Sequence, residues 1–207
     1  MNTKEKILSV ALTLFSTKGY KAVSVRHIAS DVGIKASSLY NHFENKQEIL
    51  DELIKKNTKY IEDFLKDAMD LDSLIVSKKY NRKKQCDIDF IDTTLKIVKF
   101  FIENDNVIKF RKLLTIEQFN NPTLSALYKK IFISDILEYE SKLFSYLMDK
   151  NLLIRNDPYI LALQFFSPIF LLLYNDDKVT LEDYSTVEKH IFQFKDIYST
   201  KGWFAWM

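Results

Sequence analysis

The side chains able to do chemistry crowd into one stretch. From Ser24 to Lys46 the chain reads SVRHIASDVGIKASSLYNHFENK. Ser24, Arg26, Lys35, Ser37, Ser38, Tyr40, Asn41, His42 and Lys46 can donate hydrogen bonds to phosphates or base edges, and Ala36 is small enough to let the backbone approach them. That is the chemistry of holding and reading a double-stranded DNA. The chemistry of catalysis is missing its parts. His27 has a single carboxylate, Asp31, at helical spacing and His42 has none, neither has a cysteine or further histidine there, and no HExxH, CxxC or nucleophile-elbow pattern occurs. No enzyme, metal or cofactor is therefore implied. The single cysteine, Cys86, forms no internal disulfide, fits a reducing cytoplasm, and reads as a partly buried bystander.

These donors need a scaffold, and the spacing of the apolar residues between them supplies it. Val25, Ile28, Ala29 and Val32 recur at helical spacing behind Ser24, a good N-cap, which predicts a short helix from Val25 to Val32. Gly33 can end it in the left-handed conformation. A second short helix is predicted from Ala36 to Phe43, with Leu39 and Phe43 facing inward and the polar residues clustered at its start and outer faces. Asn45 and Glu48 have N-cap to N3 spacing and open a third helix that begins at Lys46, so its charge points at a phosphate backbone. Upstream, Ile7, Leu8, Ala11, Leu12 and Phe15 form one stripe on a helix from Thr3 to Lys18, closed by Gly19, that braces the two short ones.

The stretch resembles the N-terminal domain of the TetR family of bacterial transcriptional regulators. The resemblance rests on Ile7, Ala11, Phe15, Gly19, Tyr20, Ser24, Val25, Ile28, Ala29, Gly33, Ile34, Ser38, Leu39, Tyr40, His42, Phe43, Lys46, Ile49 and Leu50, and covers about the first quarter of the chain. Lys35 stands where the family usually has a small capping residue and Ala36 where a polar or basic one is usual, which makes Lys35 the better DNA contact of the two. The resemblance implies a three-helix DNA-binding domain over residues 1–47 and a larger helical effector-binding and dimerisation domain over 48–207. It also implies a small-molecule effector pocket, with Phe64, Phe100, Phe119, Tyr128, Phe132 and Phe166 as candidate lining residues.

A chain of 207 residues with three Gly and three Pro has room for a sizeable helical core and reads as all-α. The net charge of +2 demands no nucleic acid, but residues 1–60 hold ten Lys or Arg against six Asp or Glu, so the positive charge gathers at the donor-rich end. The start is not a signal peptide, because its apolar residues fall on one helical stripe and no cleavage site follows before Lys18. The apolar run Leu163 to Tyr174 is too short to cross a bilayer, so a soluble cytoplasmic protein without membrane contact is expected.

Further along, the helix opening at Lys46 carries a stripe through Met69, and a basic loop is expected from Ser77 to Asp87. Helices follow over Ile91–Ile102, Val107–Phe119 and Tyr128–Leu147, about nine in all. Asp157 and Pro158 sit at N-cap and N1 of a helix, Tyr159 to Tyr174, that is apolar nearly all round and must be covered on both sides. In the last helix Tyr184, Val187, Ile191, Phe194 and Tyr198 step by three and four, the spacing of a packing seam. A homodimer through Tyr159, Phe166, Phe170, Leu173 and that seam is therefore expected. The tail from Gly202 to Met207 shows no periodicity.

Two functions are compatible with this reading. One is a repressor that binds a palindromic operator as a dimer and is released by a small, largely apolar effector. The other is a DNA-binding architectural or adaptor protein whose second domain docks a protein partner. Small-molecule release of the DNA separates them.

Overall fold

A computed structural model describes the backbone of residues 2–68, 82–175 and 181–200 and the side chains of 2–68, 92–172 and 182–200. The described residues form helices and no strand, the all-α class predicted. No helix among them is long and apolar enough to cross a membrane. The chain divides into two compact units, residues 1–64 with 104–132, and residues 65–103 with 133–207.

In the first unit α1 (Thr3–Lys18) begins with a capping box: Glu5 N–H donates to Asn2 Oδ1 at 2.9 Å, and Asn2 N–H to Glu5 Oε2 at 3.1 Å. Its predicted stripe is buried, with Ile7, Ala11 and Phe15 all at 0% exposure. Helices α2 (Val25–Val32), α3 (Ala36–Leu39) and α4 (Lys46–Ala68) follow. Next in chain order is α5 (Arg82–Glu103), which belongs to the second unit. The first unit resumes with α6 (Asp105–Glu117) and α7 (Pro122–Lys129), and α6 packs along α1. Gly19 closes α1 at φ 77°, and a Cβ there would lie 3.3 Å from both Glu117 Oε1 and Ile116 Cγ2 of α6. Backbone angle and close approach both call for glycine.

Several boundaries differ from the sequence expectation. Helix α5 already begins at Arg82, inside the predicted basic loop, because Arg, Lys and Gln are good helix formers whatever their charge. Residues 77–81 of that loop, Met69, the side chains of Cys86 and Leu173, and the aromatic tail lie outside the described residues. The predicted helix from Tyr128 begins earlier, since Asn121 caps α7 by accepting from the N–H groups of Thr123 and Leu124 at 3.0 and 3.2 Å. Past α7 the backbone widens into a π turn, Lys130–Ser134, and re-forms as α8 (Asp135–Asp149).

The second unit also contains α9 (Pro158–Asn175) and α10 (Leu181–Tyr198). Its core is an aromatic cluster. Phe144 of α8 stacks on Phe194 of α10 at 5.3 Å and meets Phe165 of α9 edge-on at 5.6 Å, while Phe165 and Phe194 are 4.8 Å apart. This corrects the predicted dimer seam: Val187, Ile191 and Phe194 are buried in the chain's own core, with Tyr184 and Tyr198 half-buried beside them. Helical spacing shows that a face is covered, not what covers it. Phe166 and Phe170 also face each other, at 5.5 Å, with Phe166 buried and Phe170 half-buried. The outward residues of these helices are Tyr159, Ile160, Leu171, Phe192 and Ile197, between 45% and 67% exposed.

The buried stripe of α8 also departs from the expectation. Ile136, Leu143 and Leu147 face inward as predicted, but Glu140 lies inside the stripe, only 8% exposed. Neither its Oε2 nor the Tyr139 hydroxyl beside it has a hydrogen-bond partner among the described residues. Burial pushes the Glu140 carboxyl well above the usual carboxylate range and the Tyr139 hydroxyl up as well.

Candidate nucleic-acid interface

The donor-rich stretch is held from beneath by two anchors, Leu39 at 0% and Phe43 at 1% exposure. Helix α2 starts with a reciprocal cap in which His27 N–H donates to Ser24 Oγ and Ser24 N–H to His27 Nδ1, both at 3.2 Å. A histidine thus fills the role usually taken by Glu or Gln. At the other end Gly33 adopts φ 80°, ψ 32°, and Ile34 N–H reaches back to Ala29 O at 2.9 Å, which turns the chain sharply toward α3. Lys6 Nζ donates to Val32 O at 2.8 Å and satisfies one more carbonyl at that end.

Helix α3 is shorter than predicted, ending at Leu39 rather than Phe43. From Tyr40 on, the backbone tightens: Asn41 N–H bonds Ser38 O at 3.3 Å and His42 N–H bonds Leu39 O at 2.9 Å. Tyr, Asn and His are weak helix formers, and the chain must turn here to reach α4. Phe43 N–H still reaches Leu39 O at 3.2 Å, so both anchors stay on the inner side. Above them Lys35, Ser37, Tyr40, Asn41 and His42 are exposed, and Ala36 and Ser38 half-exposed. Arg26 and Ser24 are exposed at the start of α2. Apart from the Ser24 cap, none of these side chains makes a hydrogen bond or ion pair with another described residue.

Lys46 differs. Its Nζ donates to Tyr20 O and Val23 O, both at 2.8 Å, and sits 4.1 Å from the centre of the Tyr20 ring. Two of its three protons are thus taken by the turn between α1 and α2, and one is left. Asn45 caps α4 as predicted, accepting from Glu48 N–H at 3.0 Å, but Glu48 Oε2 reaches Glu44 N–H at 2.5 Å instead of Asn45 N–H. Tyr20 is held on other sides too: its hydroxyl donates to Gln47 Oε1 at 2.9 Å, and its N–H to Glu117 Oε1 at 2.8 Å. Sequence reasoning missed Gln47 and Glu117. No local pattern links positions 20 and 117, which only the packing of α6 on α1 brings together.

Of the effector candidates, Tyr128 and Phe132 are buried, with ring centres 5.4 Å apart, and Phe64 is half-buried, all three in the first unit. Phe100 and Phe166 are buried in the second. Phe119 is a correction. It is 85% exposed, because α6 ends before it and leaves it on the outer side of the turn into α7.

With this geometry in view, comparison with known proteins is decisive for the head. Residues 7–53 match the profile of the bacterial regulatory proteins of the tetR family. The helix-turn-helix head belongs to the TetR family. The biofilm-operon negative transcriptional regulator IcaR of Staphylococcus epidermidis is 44% identical over 62 residues, 30% of this chain and 34% of IcaR. The chain thus spans about a third of the length of that relative. Across the whole chain the fold is that of TetR-type structures. A TetR-family regulator from Mesorhizobium loti aligns over 96% of this chain and 97% of its own, with TM-score 0.66 and 18% identity. SmeT, the repressor of a Stenotrophomonas maltophilia multidrug efflux pump, in its complex with triclosan aligns over 98% and 94%, with TM-score 0.62 and 19% identity.

Proposed function

We propose that this protein is a cytoplasmic transcriptional regulator, a repressor that binds a palindromic DNA operator as a homodimer and is released by a small, largely apolar effector. The observation that carries the reading is the row of outward, unpaired donors from Lys35 to His42, mounted on Leu39 and Phe43 in a TetR-type head. On this reading residues 1–47 are the DNA-binding domain and 48–207 the effector and dimerisation domain. Lys35, Ser37, Ser38, Tyr40, Asn41 and His42 read or hold the major groove, Ala36 lets the backbone approach, and Ser24, Arg26 and Lys46 face phosphates. The similarity of the head to IcaR, a negative regulator, supports repression, and the triclosan complex of SmeT supports a small effector in a fold of this kind. The partner surface for the dimer is the outward side of α9 and α10, where Tyr159, Ile160, Leu171 and Phe192 present apolar area to solvent.

The test is selection of duplexes from a random library by the native protein. Enriched sequences should be palindromic, with half-sites separated by about one helical turn or a multiple of it. On the selected duplex, Lys46→Ala should weaken binding and lower the slope of log affinity against log salt by about one unit, since one phosphate contact is lost. A library with no enriched sequence overturns the reading, and an unchanged slope removes Lys46 from the phosphate contacts.

A further inference from the structure

We propose that Glu117, the last residue of α6, is a positioning residue for the DNA head. The assignment rests on the DNA-binding reading above, but its geometry is independent of it. Glu117 is 8% exposed, and the one hydrogen bond of its carboxylate among the described residues is the 2.8 Å bond from Tyr20 N–H. It stands at the C-terminal end of α6 and beside Gly19, which closes the C-terminal end of α1. Both helix ends carry partial negative charge, so a buried carboxylate is unfavourably placed there, and no lysine or arginine among the described residues pairs with it. Folding alone would be served as well by a neutral side chain of the same size. What the carboxylate adds is a charge-assisted hydrogen bond to one backbone N–H, stronger than a neutral acceptor makes.

That N–H sits at a mechanical junction. Tyr20 is gripped from α6 through its N–H, from α4 through Lys46 on its carbonyl and Gln47 on its hydroxyl, and from α1 through Phe15, whose ring meets it edge-on at 5.4 Å. Four residues later Ser24 caps α2, the first helix of the DNA-reading pair. A displacement of the end of α6 therefore moves the turn that sets where α2 begins, a path to the head distinct from α4.

The experiment compares Glu117→Met, which fills the same space without an acceptor, with Glu117→Gln, which keeps the acceptor without the charge. Hydrogen exchange resolved at Tyr20 is measured on the full chain, alongside affinity for the duplex selected by the native protein. Glu117→Met should fold, exchange the Tyr20 amide about tenfold faster, and bind the duplex about tenfold more weakly with an unchanged salt slope, because no phosphate contact is touched. Glu117→Gln should recover part of both losses, because a neutral acceptor keeps the bond in weaker form. Native exchange at Tyr20 in Glu117→Met, or equal losses in the two variants, overturns the proposal. A native protein that selects no duplex overturns the DNA-binding reading instead, while the exchange result still decides what Glu117 does.

Discussion

Helices α1 to α3 and helices α9 and α10 both carry strong apolar stripes, yet they dispose of them differently. In the head the stripe vanishes inside the unit: Ile7, Phe15, Ile28, Leu39 and Phe43 are at most 1% exposed, and what faces out is mainly polar. On α9 and α10 the inward side is as well buried, with Leu161 and Ile191 at 0%, but the outward side keeps Tyr159 at 51%, Leu171 at 67% and Phe192 at 49%. The head has buried its apolar surface and offers hydrogen-bond donors, which suit a polar partner. The far helices have not, and their outward side suits an apolar one. On the reading proposed above, the two kinds of recognition differ in how much hydrophobic area each region leaves uncovered.

The strongest way to break this contrast is to place one charge on each side of α10. Phe194, 5% exposed and stacked on Phe144, belongs to the core, so Phe194→Glu should cost about 4 kcal/mol or more and yield protein that fails to fold. Phe192→Glu, two residues away, should leave the melting transition nearly unchanged and turn dimers into monomers in sedimentation. If Phe192→Glu stays dimeric, the outward side of α10 is not the partner surface. If Phe194→Glu folds normally, the aromatic cluster is not the core.

The two regions also differed in how far their sequence could be read. In α1 and α2 the apolar period, the caps at Ser24 and Gly33 and the burial agree, so spans and inner faces followed directly from spacing. The seam of α10 had an equally clear period but an ambiguous meaning, because a stripe specifies a covered face without naming the cover. Glu140 was invisible for a related reason. A carboxylate among Ile136, Leu137, Leu143 and Phe144 reads as an interruption of the stripe, and only three-dimensional packing shows that it is buried with them. The end of α3 and the Glu117–Tyr20 bond were lost to turn geometry and to a separation of 97 residues.

Glu140 sharpens the comparison within the second unit, where it and Lys195 are the buried charged side chains among the described residues. Since the folded protein holds its carboxyl above the usual range, the native state favours the protonated form. The associated stability is fully present below the ordinary carboxylate range and is lost as pH rises through the raised folded value. Glu140→Leu removes that dependence and the unsatisfied carboxyl oxygen together, and should be more stable than native by about 1–3 kcal/mol at neutral pH. Denaturant unfolding at several pH values should show the gap narrowing toward acid. A gap independent of pH would mean that Glu140 is solvated in the folded protein.

The smallest effect separates folding from recognition inside the head itself. Ser24 Oγ accepts from His27 N–H at 3.2 Å, so Ser24→Ala should lose a cap worth about 1 kcal/mol, visible as a lower denaturation midpoint. Weaker DNA binding in that variant is ambiguous, since a frayed α2 and a lost phosphate contact have the same outcome. Ser24→Asp resolves it. Aspartate caps a helix as well as serine does and suits the positive end of the helix dipole, so the midpoint should return to the native value. Its charge, however, repels a phosphate where serine would donate to one, so binding to the selected duplex should be weaker than in Ser24→Ala despite the restored helix. If Ser24→Asp binds like the native protein, the exposed hydroxyl faces solvent in the complex and Ser24 serves the fold alone.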